Sequence, residues 1–318
     1  MSQSVENRFS KLLSHKLKTL ELKTLKIMHI QRQVRIVLKR YLLGESIMVL
    51  LVLLYAPLLV HWYDGWFNKN ISIEHEYFSH GLLGLPYAAY IAWTNLNSWR
   101  KLPNSPHALG GIFLVLATLF YLSRLSDLVN ISLPLMLGSI CLCLKGISGL
   151  RLQGIPLLFV FLASPNHIPY LIEPYALPLQ HFIAQTSGLI LIKAGLNVRV
   201  EEIYLYVNDQ IVEVAPHCAG LKMLFTSLYV SLILLDWTGV SSSYKKSILF
   251  LVGTSIISIS SNILRNALLT YFHGTENLGL FTWLHAGWGG DLYSACILGL
   301  LIVLFNGMEK YFPAQSGN

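Results

Sequence analysis

The chain has 318 residues, of which 54% are hydrophobic and 12% charged, with a mean hydropathy of +0.55. A soluble globular chain carries about 25% charged residues, so this one lacks the charge to cover a wetted surface. Disorder requires the opposite balance. The class that remains is an integral membrane protein of several spans, with the lipid bilayer as its first partner.

Charge is unevenly placed. Residues 1–40 hold ten Lys/Arg and two Glu, a net of +8, while the rest of the chain nets −1. The pI near 9.1 therefore comes from one segment, and no nucleic-acid partner is expected. Forty residues precede the first apolar run and no A-x-A site follows Leu50–Val60. That pattern differs from a secretory signal, so residues 1–45 read as a basic cytoplasmic segment before an uncleaved span. Leu13, Leu17, Leu20, Met28 and Val34 among the lysines fit an amphipathic helix on anionic lipid, or equally a solvated charged helix.

Apolar runs follow near 46–62, 81–97, 108–123, 128–144, 153–171, 218–237, 247–269 and 289–307. Each is near the ~20 residues that cross hydrocarbon. A ninth run, 176–194, carries Gln180, His181, Gln185, Ser187 and Lys193, with Leu179, Phe182, Ile183, Leu189 and Ile190 at near-helical spacing. It either crosses or lies in the interface. Parity separates the two. With the basic N-terminus inside and 176–194 not crossing, the cytoplasmic loops hold Arg100–Lys101, Lys145–Arg151, Lys245–Lys246 and Lys310, as the positive-inside rule asks. If 176–194 crosses, Lys245–Lys246 move outside and the bias breaks. The expected fold is an all-α polytopic protein of about eight transmembrane helices. Residues 46–308 form one membrane domain and 309–318 a short cytoplasmic tail.

The outer segment 173–217 contains the strand signal. Val198, Val200, Ile203, Leu205 and Val207 precede Asn208–Asp209, and Ile211, Val212 and Val214 follow. Two residues that tolerate positive φ between β-branched runs predict an extracytoplasmic β-hairpin. Of the four cysteines, Cys141, Cys143 and Cys296 sit in apolar runs and read as packing residues. Cys141 and Cys143 project on different helix faces and cannot bond each other without distortion.

Cys218 differs, because the topology puts it at the outer mouth of the sixth span. Arg265 lies near the outer end of the seventh, and His285 in the outer loop leading to the eighth. A thiol, an imidazole and a guanidinium at one depth are the parts for acyl transfer by a cysteine nucleophile. Nearby positive charge lowers the thiol pKa, and an arginine can hold a developing oxyanion. Each has a plainer reading: a packing thiol, a snorkelling arginine, an interfacial histidine between Trp283 and Trp288. Arg265 resists this best, since a charge at mid-bilayer costs at least ~2.5 kcal/mol. His75 and His80 are five apart and face ~140° apart on a helix, which does not suit a zinc site of the H-E-x-x-H kind. No metal or cofactor is expected.

From Arg151 to about Phe305 the chain resembles the exosortase/archaeosortase family of multi-pass membrane enzymes. The matching segments are Pro165-Asn166-His167-Ile168-Pro169, Leu177-Pro178-Leu179-Gln180, the hairpin ending Val212-Glu213-Val214, Cys218-Ala219-Gly220-Leu221, Asn262-Ile263-Leu264-Arg265 and His285. Upstream, Tyr77-Phe78-Ser79-His80-Gly81 is similar to the family's Tyr-Ser-His-Gly segment. One departure is that Ala219 stands where the family usually has Ser, and His217 precedes the cysteine. Ala219 and the long basic N-terminus suggest a cyanobacterial branch.

The resemblance implies a membrane-embedded cysteine peptidase/transpeptidase with Cys218 as nucleophile, Arg265 as binder of the carbonyl oxygen or the substrate carboxylate, and His285 as proton carrier. His217 competes as base, Asn262 is an auxiliary, and His80 is a structural or substrate-groove residue. The implied substrates are secreted proteins with a C-terminal Pro-Glu-Pro-like motif, a transmembrane helix and a basic tail. They would be cut on the extracytoplasmic side of the plasma membrane through a Cys218 thioester. The rival classes are a polytopic transporter, with Arg265, His285 and Asp291 lining a path, and a polysaccharide-export membrane component without chemistry.

Overall fold

A computed structural model describes residues 46–66, 77–167, 171–208, 210–215, 220–240 and 243–311. The basic segment 1–45, the end of the tail, His217 and Cys218 lie outside the described residues. The chain divides into two compact units, Met1–Val60 and His61–Asn318. The site belongs to the second.

In hydrocarbon an isolated span satisfies its backbone only as a helix, and the apolar runs fold accordingly. The first helix, α1, is Ser46–Trp66. After it come α2 (Gly81–Thr94), α3 (Leu96–Lys101), α4 (Ala108–Leu122), α5 (Ser126–Leu152) and α6 (Gly154–Ala163). The second half holds α7 (Leu177–Lys193), α8 (Leu221–Trp237), α9 (Tyr244–Gly274), α10 (Leu278–His285) and α11 (Trp288–Tyr311). Four of these, α1, α5, α9 and α11, are long and apolar enough to cross a membrane. The other runs give shorter helices, including α4 with 15 residues and α6 with 10.

Two expected boundaries move for local reasons. The run 153–171 stops at Ser164, whose ψ of 117° leaves the helical region. Pro165 disfavours helical geometry in the residue before it. The run 128–144 lengthens to Ser126–Leu152 across a break at Gly146, with φ 63° and ψ −151°. A Cβ there would stand 2.2 Å from the Ser105 carbonyl oxygen, so only glycine fits. Among the described cysteines, Cys141, Cys143 and Cys296 are free thiols.

Contacts set the helix directions. α2 and α8 run parallel: His80, just before α2, meets Tyr229 with ring centroids 4.3 Å apart, and further along Tyr87 donates to Asp236 at 2.7 Å. α6 runs against α2, with Leu162 beside His80 and Phe159 edge-on to Tyr87. α8 runs against α9, since the Ser231 and Thr254 hydroxyls lie 2.8 Å apart while Gly220 faces Asn262. α9 runs against α11, with Phe250 on Phe305 and Tyr293 donating to the Ser261 carbonyl at 2.6 Å. The starts of α2, α8 and α11 and the ends of α6 and α9 thus share one end of the unit. Trp62 also donates to Asn130 there, at 2.7 Å, and Asp127 pairs with His167.

Where one hairpin was expected, the chain forms three antiparallel strands in the order β1-β2-β3: Val198–Glu201, Tyr204–Val207 and Gln210–Glu213. Asn208, at φ 48°, begins the expected turn. The additional turn falls at Glu202, φ 54°, because two glutamates interrupt the β-branched run. Period-two alternation aims Val198, Leu205, Val207 and Val214 inward, against Ile183, Ala184 and Leu191 of α7 and Ile263 and Ala267 of α9. The sheet therefore sits on α7 and the last third of α9, where Asn208 donates to the Gly274 carbonyl at 3.0 Å.

The α2–α8 contact depends on Gly84, where a Cβ would lie 1.6 Å from the Tyr229 hydroxyl oxygen, itself donating to the Phe159 carbonyl at 2.9 Å. Gly84→Ala should destabilise the detergent-solubilised protein by about 1–3 kcal/mol, the range of overpacking. Gly111→Ala, inside α4 where a Cβ meets nothing within 4 Å, should not lower the unfolding midpoint and should raise it slightly, since alanine favours helix. Thermal unfolding followed by circular dichroism checks both.

Candidate active site

Of the residues nominated by the sequence, His80, Asn262, Arg265 and His285 are among the described residues and lie toward the end of the unit just described, while Cys218 and His217 are outside them. Both flanks of segment 216–219 are held. On the incoming side, the buried Gln180 side chain donates to the Val214 carbonyl at 2.9 Å, and the Val214 N–H donates to the Ile203 carbonyl at 2.9 Å. On the outgoing side, Gly220 caps α8 with φ 79° and ψ 9°. A Cβ on Gly220 would fall 2.6–2.9 Å from the side chain of Asn262. Positive φ and close approach both demand glycine there. Leu221 then packs with Tyr77, Phe78 and Ala176, which brings the Tyr77–Gly81 segment to the start of α8.

Asn262 is 1% exposed. Its carbonyl accepts from Asn266 at 2.9 Å. Three residues on, and hence a neighbour on the helix surface, stands the half-buried Arg265. The Arg265 Nη2 lies 3.5 Å from the carbonyl oxygens of both Leu284 and His285. These are carbonyls of the last turn of α10, a place where backbone acceptors lack intrahelical partners and the helix dipole favours a cation. Both contacts run through one nitrogen of a group with five N–H donors, so the fork retains donors for a further acceptor. Gly290 lines the same corner, a Cβ there lying 3.9 Å from Nη2 and 2.9 Å from the Leu284 oxygen.

His285 ends α10 and is exposed; its ring lies edge-on to Phe281 with centroids 5.2 Å apart. Arg265 and His285 are thus brought together through the His285 backbone. Asn262 and Arg265 lie on the same helix, and the Asn262 side chain abuts Gly220, two residues beyond Cys218 in the chain. His80 has a different setting. It is 6% exposed, and its Nε2 lies 3.0 Å from the Leu162 carbonyl oxygen, which can only accept. Nε2 therefore carries the proton. Burial pulls the His80 pKa below its ordinary value, against the smaller opposing effect of backbone hydrogen bonds, so the ring stays neutral. It ties α2 to α6 and α8.

Gln180 is the site-positioning residue that sequence reading left unassigned. Its signal was present: a buried amide on an amphipathic helix must find a partner, and the Val214 carbonyl is that partner.

A family model described as transmembrane exosortase matches residues 66–302 of the chain. No curated protein and no solved structure matches it.

Gly220→Ala should destabilise the protein by about 1–2 kcal/mol from the left-handed backbone alone, with the Asn262 contact added. In an Asn262→Ala background the same change should cost less, because the amide contacts at 2.6 and 2.7 Å are gone and only the Cβ contact at 2.9 Å and the backbone term remain. Unfolding midpoints of the four proteins in a double-mutant cycle measure the difference.

Proposed function

The chain belongs to the transmembrane exosortase family, and from that we propose that it is a membrane-embedded cysteine peptidase/transpeptidase acting through Cys218, Arg265 and His285. The observation that carries the reading is the meeting of three distant segments: Gly220 against Asn262, and Arg265 one turn on against the end of α10. The nearest held residues on either side of Cys218 in the chain are Val214, bonded by Gln180, and Gly220, against Asn262.

The chemistry follows from the groups. The Cys218 thiolate attacks the scissile carbonyl carbon of the substrate. Negative charge moves to the carbonyl oxygen, where donors of Arg265 stabilise it. As the intermediate collapses, the C–N bond breaks and His285 gives its proton to the departing amine. The N-terminal part of the substrate is left as a thioester on Cys218. A hydroxyl or amine acceptor, or water, then attacks the thioester carbon and passes a proton to His285, and Cys218 leaves as thiolate. A guanidinium beside the sulfur would favour that thiolate. His217 is the alternative proton carrier.

The substrates we propose are secreted proteins with a C-terminal Pro-Glu-Pro-like motif, a transmembrane helix and a basic tail, cut on the extracytoplasmic face of the plasma membrane. In our reading the chain has eight spans with both termini inside, which would put the site on that face. The alternation of helix directions described above supports this count, with α7 not crossing, because the starts of α2, α8 and α11 gather at one end. The positive-inside balance supports it independently. The short α4 and α6 are then spans of less than full thickness, accommodated by local thinning or by the ends of their neighbours.

Cys218→Ala should abolish processing of a co-expressed tripartite-tail protein while the chain still inserts, since alanine removes only the sulfur. Cys218→Ser should fail almost as fully, because a hydroxyl is far less acidic than a thiol. Arg265→Lys should also fail, as a point ammonium cannot replace a planar fork. His285→Ala should keep a trace of activity that the added His217→Ala removes. Substrate size shift on gels reads all of these, and undiminished processing by Cys218→Ala overturns the peptidase. Separately, a cysteine placed at Lys245 should be labelled from the cytoplasmic side only, and labelling from outside would reverse the topology.

A further inference from the structure

β3 is an edge strand. The Val214 N–H bonds Ile203, and the register pairs Leu205 with Val212 and Val207 with Gln210. Opposed residues in an antiparallel ladder alternate between bonded and non-bonded pairs, so Gln210, Val212 and Val214 bond toward β2. The N–H and C=O groups of Ile211 and Glu213 then point off the free edge, and no described residue takes a backbone hydrogen bond from them.

Natural edge strands are usually blunted by lysine, proline or a bulge. Gln210-Ile211-Val212-Glu213 has none of these; only its four-residue length and the exposed charge of Glu213 guard the edge, and Ile211 is 57% exposed. The cross-strand partners on the outward face are Tyr206 for Ile211 and Tyr204 for Glu213. An apolar and aromatic strip therefore borders the open hydrogen-bonding edge.

Where the strand leads identifies its occupant. Glu213 is five residues before Cys218, at most ~18 Å of extended chain. The Val214 carbonyl next to the edge is held by Gln180, so the edge is fixed relative to the chain entering the cysteine segment. A polypeptide paired along β3 is delivered toward that segment in extended form, with its main chain bonded and alternate side chains offered to the tyrosine strip. Strand addition of this kind takes affinity from main-chain bonds and selectivity from side-chain pockets.

We propose that the free edge of β3 binds the polypeptide to be cut as an added fourth strand, through the main-chain groups of Ile211 and Glu213. This rests on the peptidase reading above and assigns the substrate-binding element of the same site.

The test uses the full chain in membranes with a tripartite-tail substrate. Ile211→Pro and Glu213→Pro each remove an edge N–H and leave the β2 ladder intact, a position where proline is tolerated. Each should reduce processing at least tenfold without changing the unfolding midpoint, and Ile211→Ala, which keeps the N–H, should lose less than Ile211→Pro. Wild-type processing by both proline variants, or equal loss in Ile211→Ala and Ile211→Pro, overturns the proposal. A second measurement does not depend on proline. In a Cys218→Ala background, Ile211→Cys is oxidised against single cysteines walked along the substrate. Crosslinks at every second substrate position are expected, and a flat or absent pattern overturns strand addition. If the wild-type chain cuts nothing yet the alternating crosslinks form, the peptidase reading fails and strand addition stands.

Discussion

Everything at the site depends on how α9 carries polar groups through an apolar bundle. Thr254, Ser258, Asn262, Asn266 and Thr270 recur every four residues and are all buried, so they form one stripe. A buried polar group without a partner costs several kcal/mol in hydrocarbon, and lipid offers none. Two of its members are met by neighbours that approach closely: Ser231 of α8 reaches Thr254, and Gly220 abuts Asn262. Beside the stripe, Ser187 of α7 donates to the Ile263 carbonyl at 3.0 Å. Small residues and interhelical hydrogen bonds serve here because apolar burial cannot drive association between helices already in lipid.

That requirement organises the end of the unit. Once α7 and α8 are drawn onto α9, the sheet has one apolar platform available, and its inward valines and Leu205 fill it. The two chain ends around residues 216–219 are then set by different devices, an amide on a carbonyl at Val214 and a glycine cap at Gly220. Arg265, just off the stripe, meets the carbonyl end of α10. A cation at a helix C-terminus is electrostatically favourable, which makes an intramembrane arginine tolerable and fixes the turn that carries His285. One residue thus serves both the packing of α10 and the chemistry assigned to the site.

Much of this was legible in the chain. The three-residue spacing of Asn262 and Arg265 put both near one end of one helix, and the Asn208–Asp209 pair marked a turn. Pro165 was visible too, yet the apolar run around it read as continuous, since hydropathy is blind to the backbone that proline disturbs. The third strand was hidden for a related reason: Val200 and Ile203 flank two glutamates in what reads as a single β-branched run, and only the positive φ at Glu202 divides it.

By itself the sequence determined the environment and the inventory: a membrane protein, helices where apolar runs stand, a strand-forming segment between 197 and 214, and a small set of polar side chains that apolar surroundings make expensive. These are properties of composition and short-range periodicity, which any local window reads. Only the tertiary structure decided which groups meet. The Gln180 amide finding Val214, the fit of Asn262 against Gly220, and the guanidinium of Arg265 over the Leu284 and His285 carbonyls are contacts between residues 19 to 42 positions apart. Such pairings follow from how helices cross and how closely glycine lets them approach, and no local pattern encodes those distances.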